Sequence, residues 1–131
     1  MIVLDASAVV ELLLDTPAGR RVGLLIDDPA LGLHVPHLLD VEVLSVLRRF
    51  VREGVLEDAE AQRAIEDLLA LDLQRHSHEG LMERAWRLRK NITAYDAMYV
   101  ALAEALDATL VTCDSKLAKS RASAAKVELV K

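Results

Sequence analysis

Asp5 and Asp114 stand at the ends of two short apolar runs, Ile2-Val3-Leu4 and Thr109-Leu110-Val111-Thr112. Such unalternated runs read as strands buried on both faces of a parallel sheet, and ligands of open parallel sheets bind beyond the carboxyl ends of the strands. An Asp at a strand-to-helix turn also caps the helix that follows, so each residue has two readings. Asp96 and Glu42 come from helical stretches. Thr93-x-x-Asp96 matches a capping box with an acid in place of the usual Glu or Gln. On a helical wheel, however, Asp96 shares its face with Tyr99, Val100 and Ala103, an apolar surface on which a carboxylate needs a partner. Glu42 falls on a polar stripe with Ser45, Arg49 and Arg52, which by periodicity alone is a solvated face.

Four carboxylates gathered in one pocket repel one another unless a cation sits among them. Mg²⁺ or Mn²⁺, hard and oxygen-seeking, suits an all-carboxylate site and requires neither Cys nor His. Such a site activates water and clamps a phosphodiester for in-line attack, which is nuclease chemistry.

Alternating strands and helices are needed to bring these acids together. Strands are expected at 2–4, 33–35, 71–73, 109–112 and 127–130. Helices are expected at 7–14, at 17–28 behind a Thr16-Pro17 start, at 37–53 with a stop at Gly54, and at 59–70 behind Asp58. Another runs from the Ser77 cap to Lys90, then one over 94–106 behind Thr93, and a short one follows Asp114. Strand–helix–strand order of this kind predicts a three-layer α/β/α sandwich with a central parallel sheet of four to five strands. With 131 residues and no linker, repeat or low-complexity segment, the chain reads as one domain, 1–131.

Composition narrows the setting. No apolar run approaches the ~18 residues of a membrane span, and the first residues lack the basic region of a signal peptide. A single cysteine, Cys113, excludes an internal disulfide and points to the reducing cytoplasm. The formal net charge of −5 and the scarcity of aromatics (Phe50, Trp86, Tyr95 and Tyr99) speak against a nucleic-acid partner and a base-stacking surface. The average conceals an asymmetry: residues 1–83 carry 16 acids and 7 bases, whereas residues 84–131 carry 5 acids and 9 bases.

The pattern Ile2-Val3-Leu4-Asp5-Ala6-Ser7-Ala8, then Glu42 early in the helix after Pro36, then Thr93-Ala94-Tyr95-Asp96-Ala97-Met98-Tyr99-Val100-Ala101-Leu102-Ala103, then Leu110-Val111-Thr112-Cys113-Asp114, resembles the PIN-domain ribonucleases. Within that family it is similar to the VapC-type toxins of bacterial toxin–antitoxin systems. The resemblance implies a PIN-like α/β/α fold and metal-dependent endoribonuclease activity on RNA. It implies that Asp5, Glu42, Asp96 and Asp114 are catalytic and hold Mg²⁺ or Mn²⁺ directly or through water, with Ser7 and Thr112 at supporting hydroxyl positions. It also implies a homodimer and a VapB-type antitoxin whose C-terminal segment lies across or near the active site. One departure is that Ser115–Lys119 contains no further acid of the kind some relatives carry after the Thr-x-Asp motif; the next is Glu128.

The basic C-terminal third now has a use. Arg84, Arg87, Arg89, Lys90, Lys116, Lys119 and Arg121 flank the segments bearing Asp96 and Asp114, where cations would hold RNA phosphates. Arg89, Lys90, Lys116 and Lys119 are the candidates, against the alternative of a solvated helix face. His76 and His78 at i, i+2 do not share a helix face, Cys113 has no base beside it, and Trp86 reads as packing. Two other functions compete. One is an Mg²⁺-binding phosphoacceptor signalling domain, with Lys116 as its phosphate-binding lysine, but the mid-chain strand ends in Pro36-His37 where a nucleophilic Asp is required. A haloacid-dehalogenase-like phosphatase is disfavoured in the same way, by Ser7 at the place of its second Asp. The other is a catalytically silent relative that only binds its partner, against which the four retained acids argue.

Overall fold

The computed structural model describes residues 1–120 and 125–131. Five strands, β1 (Ile2–Leu4), β2 (Leu33–Pro36), β3 (Gln74–His76), β4 (Thr109–Thr112) and β5 (Val127–Leu129), form one sheet in the order β3-β2-β1-β4-β5. Every pairing is parallel. The chain steps from β1 to β2 to β3 in one direction, then returns across the sheet to β4 on the other side of β1. This reversal makes the β1/β4 seam the switch point at which such sheets open a crevice.

Helices α1 (Ala6–Leu13), α2 (Pro17–Leu25), α3 (Leu38–Arg52) and α4 (Asp58–Ala70) pack on one another, while α5 (Met82–Arg87) packs on α6 (Ala94–Leu106), and α7 (Ser115–Lys119) lies against β4 and β5. The core sits where α1 and α6 meet the central strands: Val3, Leu4, Val9, Leu110 and Val111 are fully buried, with Tyr99 and Val100 of α6 closing over them. This is the α/β/α arrangement expected, with five strands.

The starts and stops follow local chemistry. Thr16 and Thr93 cap α2 and α6 through their hydroxyls, which accept from Gly19 N and Asp96 N. Gly54 follows α3 with φ +74°, the left-handed conformation that ends helices. Gly19 is there for contact: a Cβ on it would stand 1.9 Å from the Glu11 carbonyl oxygen, so α1 and α2 approach through it.

Three expectations need correction. The third strand is Gln74–His76, not 71–73. It is an edge strand hydrogen-bonded only to β2, so exposed Gln74 and Arg75 suit it, whereas Leu71 caps α4 and Leu73 is buried in the connecting turn. The long helix expected from Ser77 to Lys90 is a 3₁₀ turn, Glu79–Leu81, followed by α5, which ends at Arg87. Helix α2 ends at Leu25 rather than 28, ahead of the turn at Asp27-Asp28-Pro29. Arg121 lies outside the described residues.

Candidate active site

Because β1 and β4 are adjacent and parallel, with Leu4 paired to Val111, Asp5 and Asp114 leave the sheet at the same edge. Asp5 is only 5% exposed and caps α1, its Oδ1 accepting from Ala8 N at 3.0 Å and from Ser7 Oγ at 2.7 Å. Its Oδ2 accepts from the Thr112 hydroxyl. Ser7 and Thr112 thus each give their one hydroxyl proton to Asp5. Each then accepts from backbone after β4, Ser7 Oγ from Cys113 N across the seam and Thr112 Oγ1 from Asp114 N within its own turn, both at 2.9 Å. The two hydroxyls are a brace that ties the acid of β1 to the turn after β4. Asp114 in turn caps α7, accepting from Lys116 N at 2.8 Å. For both acids the capping reading and the site reading hold together, since a carboxylate has lone pairs for both.

Asp96 and Glu42 come to the same end of the sheet from helices α6 and α3. Asp96 is in the first turn of α6, and its own N–H donates to the Thr93 hydroxyl at 3.2 Å. Glu42 lies in the second turn of α3. It is half-buried while Ser45, Arg49 and Arg52 are exposed, so the polar stripe does not predict its surroundings. The Tyr99 hydroxyl donates to its Oε1 at 2.6 Å.

The electrostatics join these four side chains into a closed circuit. Asp5 is raised above the usual carboxylate range by burial, opposed by its hydrogen bonds and reinforced by the charge of Asp114. Burial also raises Glu42, with Asp96 and Asp5 adding to the shift and the Tyr99 hydrogen bond holding it down. Asp96 is raised by burial and then by Asp114. Glu42 is thus acted on by Asp96 and Asp5, and Asp5 and Asp96 are each acted on by Asp114. None of the four forms an ion pair among the described residues. Such a cluster holds negative charge that the protein itself leaves uncompensated.

An all-oxygen donor set with unopposed charge fits a hard divalent cation. Among the described residues no three acidic, imidazole or thiol groups stand close enough to enclose a metal unaided. Mg²⁺ held by these acids would keep water in its remaining positions.

The sequence model of the PIN domain family matches residues 2–122. The chain belongs to the PIN-domain family. Among curated relatives it is 42% identical to Ribonuclease VapC12 of Mycobacterium tuberculosis over 130 residues, covering 99% of each chain. It is 45% identical over 117 residues to Ribonuclease VapC9 of the same species, covering 89% of this chain and 88% of that one. VapBC2 from Rickettsia felis, solved bound to a promoter DNA fragment, superposes with a TM-score of 0.71 at 16% identity over all of both chains. PAE2754 from Pyrobaculum aerophilum gives 0.67 at 27% identity over 93% of this chain and 81% of that one.

The basic residues of this PIN domain divide into two groups. Arg84 is paired with Glu104 through two bonds of 2.7 and 3.1 Å, and Arg87 with Glu83 at 3.1 Å, and neither lines the cleft beside Asp96. Arg89, Lys90 and Lys116 instead line a cleft of about 450 Å³ that also contains Asp96 and Thr93. Lys119 is exposed on α7 but does not line the cleft.

Three features of the PIN domain were not foreseen. Tyr99 was placed on the Asp96 face, but its role as the Glu42 partner was not legible. His34 Nδ1 and His76 Nε2 lie 2.8 Å apart between β2 and β3, and His78 Nε2 accepts from Leu38 N, so three histidines brace the sheet edge and the start of α3. Trp86, expected to pack, is 67% exposed. Cys113 is half-buried, and burial with the charges of Asp5 and Glu11 pushes its thiol up to about 11, which leaves it protonated and unreactive.

Proposed function

We propose that this PIN domain is an Mg²⁺- or Mn²⁺-dependent endoribonuclease, the toxin of a type II toxin–antitoxin pair, with Asp5, Glu42, Asp96 and Asp114 as its catalytic acids. The observation that carries the assignment is the ring of four mutually repelling carboxylates at the β1/β4 switch point, without a counter-cation among the described residues. The relatives named as VapC ribonucleases support the same activity here.

When bound, the divalent cation would supply an activated water and a positive charge against the phosphodiester oxygens. The chain's residues provide the rest. Asp5, fixed by the hydroxyls of Ser7 and Thr112 and by Ala8 N–H, is a pre-oriented ligand on the rigid edge of β1. Glu42 is oriented by Tyr99, whose own burial and acidic neighbours keep its phenol protonated and donating. Asp114 and Asp96 approach from the far side of the seam. Lys90, Lys116 and Arg89 line the adjoining cleft, placed to hold RNA phosphates on that flank. Ser7 and Thr112 act by positioning, through their bonds to Asp5 and to the backbone after β4.

A VapB-type antitoxin as inhibitor accompanies this assignment, supported by the VapBC2 complex of similar fold, and a homodimeric state is proposed with it from the family resemblance. The setting is the cytoplasm, where RNA substrate is reached. Among the described residues no helix is long and apolar enough to cross a membrane.

The test is cleavage of a mixed RNA pool with Mg²⁺ or Mn²⁺ by wild type, Asp5→Asn and Asp96→Asn. Wild type cleaves and both variants lose activity by at least 100-fold, of the order expected when an electrostatic catalytic group is removed. Equal cleavage by all three sinks the site assignment. Absence of cleavage by folded, antitoxin-free wild type would instead favour a silent partner-binding protein.

A further inference from the structure

Trp86 is the sole tryptophan of the chain, and it is 67% exposed on α5. The inward stripe of this segment is Leu81, Ala85 and Leu88, spaced i, i+4 and i+7, and Trp86 lies off it. Single exposed apolar residues are common and by themselves signify nothing. Here a second feature accompanies the exposure. The chain turns at the end of α5 so that Arg89 N and Arg89 Nη1 both donate to the Trp86 carbonyl oxygen, at 3.2 and 3.0 Å. This holds the guanidinium carbon 4.5 Å from the centre of the indole ring. Ring and cation form a preset pair on the surface rather than two mobile side chains.

Through Arg89 the pair reaches the cleft beside Asp96, although Trp86 itself does not line it. Arg89 is one wall of the cleft shared with Lys90, Lys116 and Asp96. A strand of RNA laid in that cleft would have its phosphates among the cations and one base beside the indole.

We propose that Trp86 and Arg89 form a stacking platform for a single unpaired RNA base next to the bond presented to the acid ring. The proposal rests on the ribonuclease assignment and specifies its substrate as RNA unpaired at that position. Indole faces and guanidinium planes are the surfaces on which proteins stack splayed-out RNA bases, and a base inside a duplex offers no free face to them. One platform accommodates one base and discriminates little among the four, because each has a π-face. A base-stacking surface is thus proposed at one position, against the expectation set by the scarcity of aromatics.

Because Trp86 is the only tryptophan, its emission reports this platform alone. The full-length protein, held in EDTA so that no RNA is cleaved, is titrated with three RNAs of equal length: a single strand, a duplex, and a single strand carrying abasic riboses. The single strand quenches the emission saturably, while the duplex and the abasic strand bind without quenching. Trp86→Ala binds the single strand about 5- to 150-fold more weakly, the worth of stacking one base. Trp86→Phe recovers part of that loss. Arg89→Lys, which keeps the charge and loses the planar stack, weakens single-strand binding more than duplex binding. Saturable single-strand binding without any emission change, or equal affinity for wild type and Trp86→Ala, overturns the platform. So does emission that shifts with protein concentration before RNA is added, since a second copy would then cover the ring. Failure of the ribonuclease assignment looks different: no RNA is cleaved with Mg²⁺ or Mn²⁺, whatever the titrations show.

Discussion

The Tyr99 hydroxyl donates to Glu42 Oε1 at 2.6 Å, joining α6 to α3 across 57 positions of sequence. Glu42 is thereby turned from the solvated stripe of its own helix into the ring of acids. Tyr99→Phe removes the donor and leaves a half-buried carboxylate without it. Unfolding in urea should show a loss of about 1–3 kcal/mol, the cost of removing a hydrogen bond to a charged group. Since that bond holds Glu42 down against burial and two like charges, the acid limb of the RNA-cleavage profile should move to higher pH. An unmoved limb would mean that Glu42 does not titrate in the reaction.

Thr112 is the other joint of the site, giving its proton to Asp5 and accepting from Asp114 N. Thr112→Val preserves volume and removes both bonds. Groups that orient metal ligands are typically worth 10–100-fold in affinity or activity. We expect Mn²⁺ affinity by calorimetry to fall within that range. Thr112→Ser, which retains the hydroxyl, should restore most of it.

Acid repulsion makes the metal-free protein's stability depend on pH in a defined direction. Asp5, Glu42 and Asp96 all have folded-state values raised above the ordinary ones, so the folded chain binds more protons than the unfolded chain in that window. Their contribution is present at low pH and is lost as pH rises from the ordinary carboxylate value through the raised one. Thermal melts in EDTA should therefore show Asp96→Asn gaining on wild type as pH rises above the ordinary carboxylate range. Added Mn²⁺ should raise the wild-type melting temperature and leave the variant's nearly unchanged. A variant that gains as much from Mn²⁺ as wild type does would remove Asp96 from the metal site.

Two glycines should respond oppositely to alanine. At Gly19 the new Cβ meets backbone, 1.9 Å from the Glu11 carbonyl oxygen, so α1 and α2 must separate. Gly19→Ala should cost about 3 kcal/mol or more in urea unfolding, the upper range for overpacking. At Gly80 nothing lies within 4 Å, and its φ is not in the left-handed region. Gly80→Ala should be neutral or stabilising by up to about 1 kcal/mol, through the unfolded chain.

Much of the fold was legible because its signals are local. The strands at 2–4 and 109–112 are short apolar runs bounded by polar residues, and α6 has its cap at Thr93 and its end in the structure where the sequence put them. Asp5, Asp96 and Asp114 were legible for the same reason, since each is placed by the end of an element. Features that depend on a distant neighbour were not. Edge strand β3 carries polar residues because only one of its sides is paired, and no apolar pattern announces it. Periodicity around α5 did not say which of its residues would face the core, so Trp86 was assigned to packing.

The sequence by itself determined which residue types end the central strands, that oxygen ligands outnumber any others, and where α6 begins. Only the tertiary structure showed that the Tyr99 hydroxyl holds Glu42 and that Arg89, Lys90 and Lys116 line one cleft while Arg84 and Arg87 are in ion pairs. The physical reason is that helical and strand periods define a face relative to an element's own axis. Which neighbour that face meets, and so whether a charge finds solvent, a counter-ion or three other acids, is settled by the crossing of the chain at the β1/β4 seam.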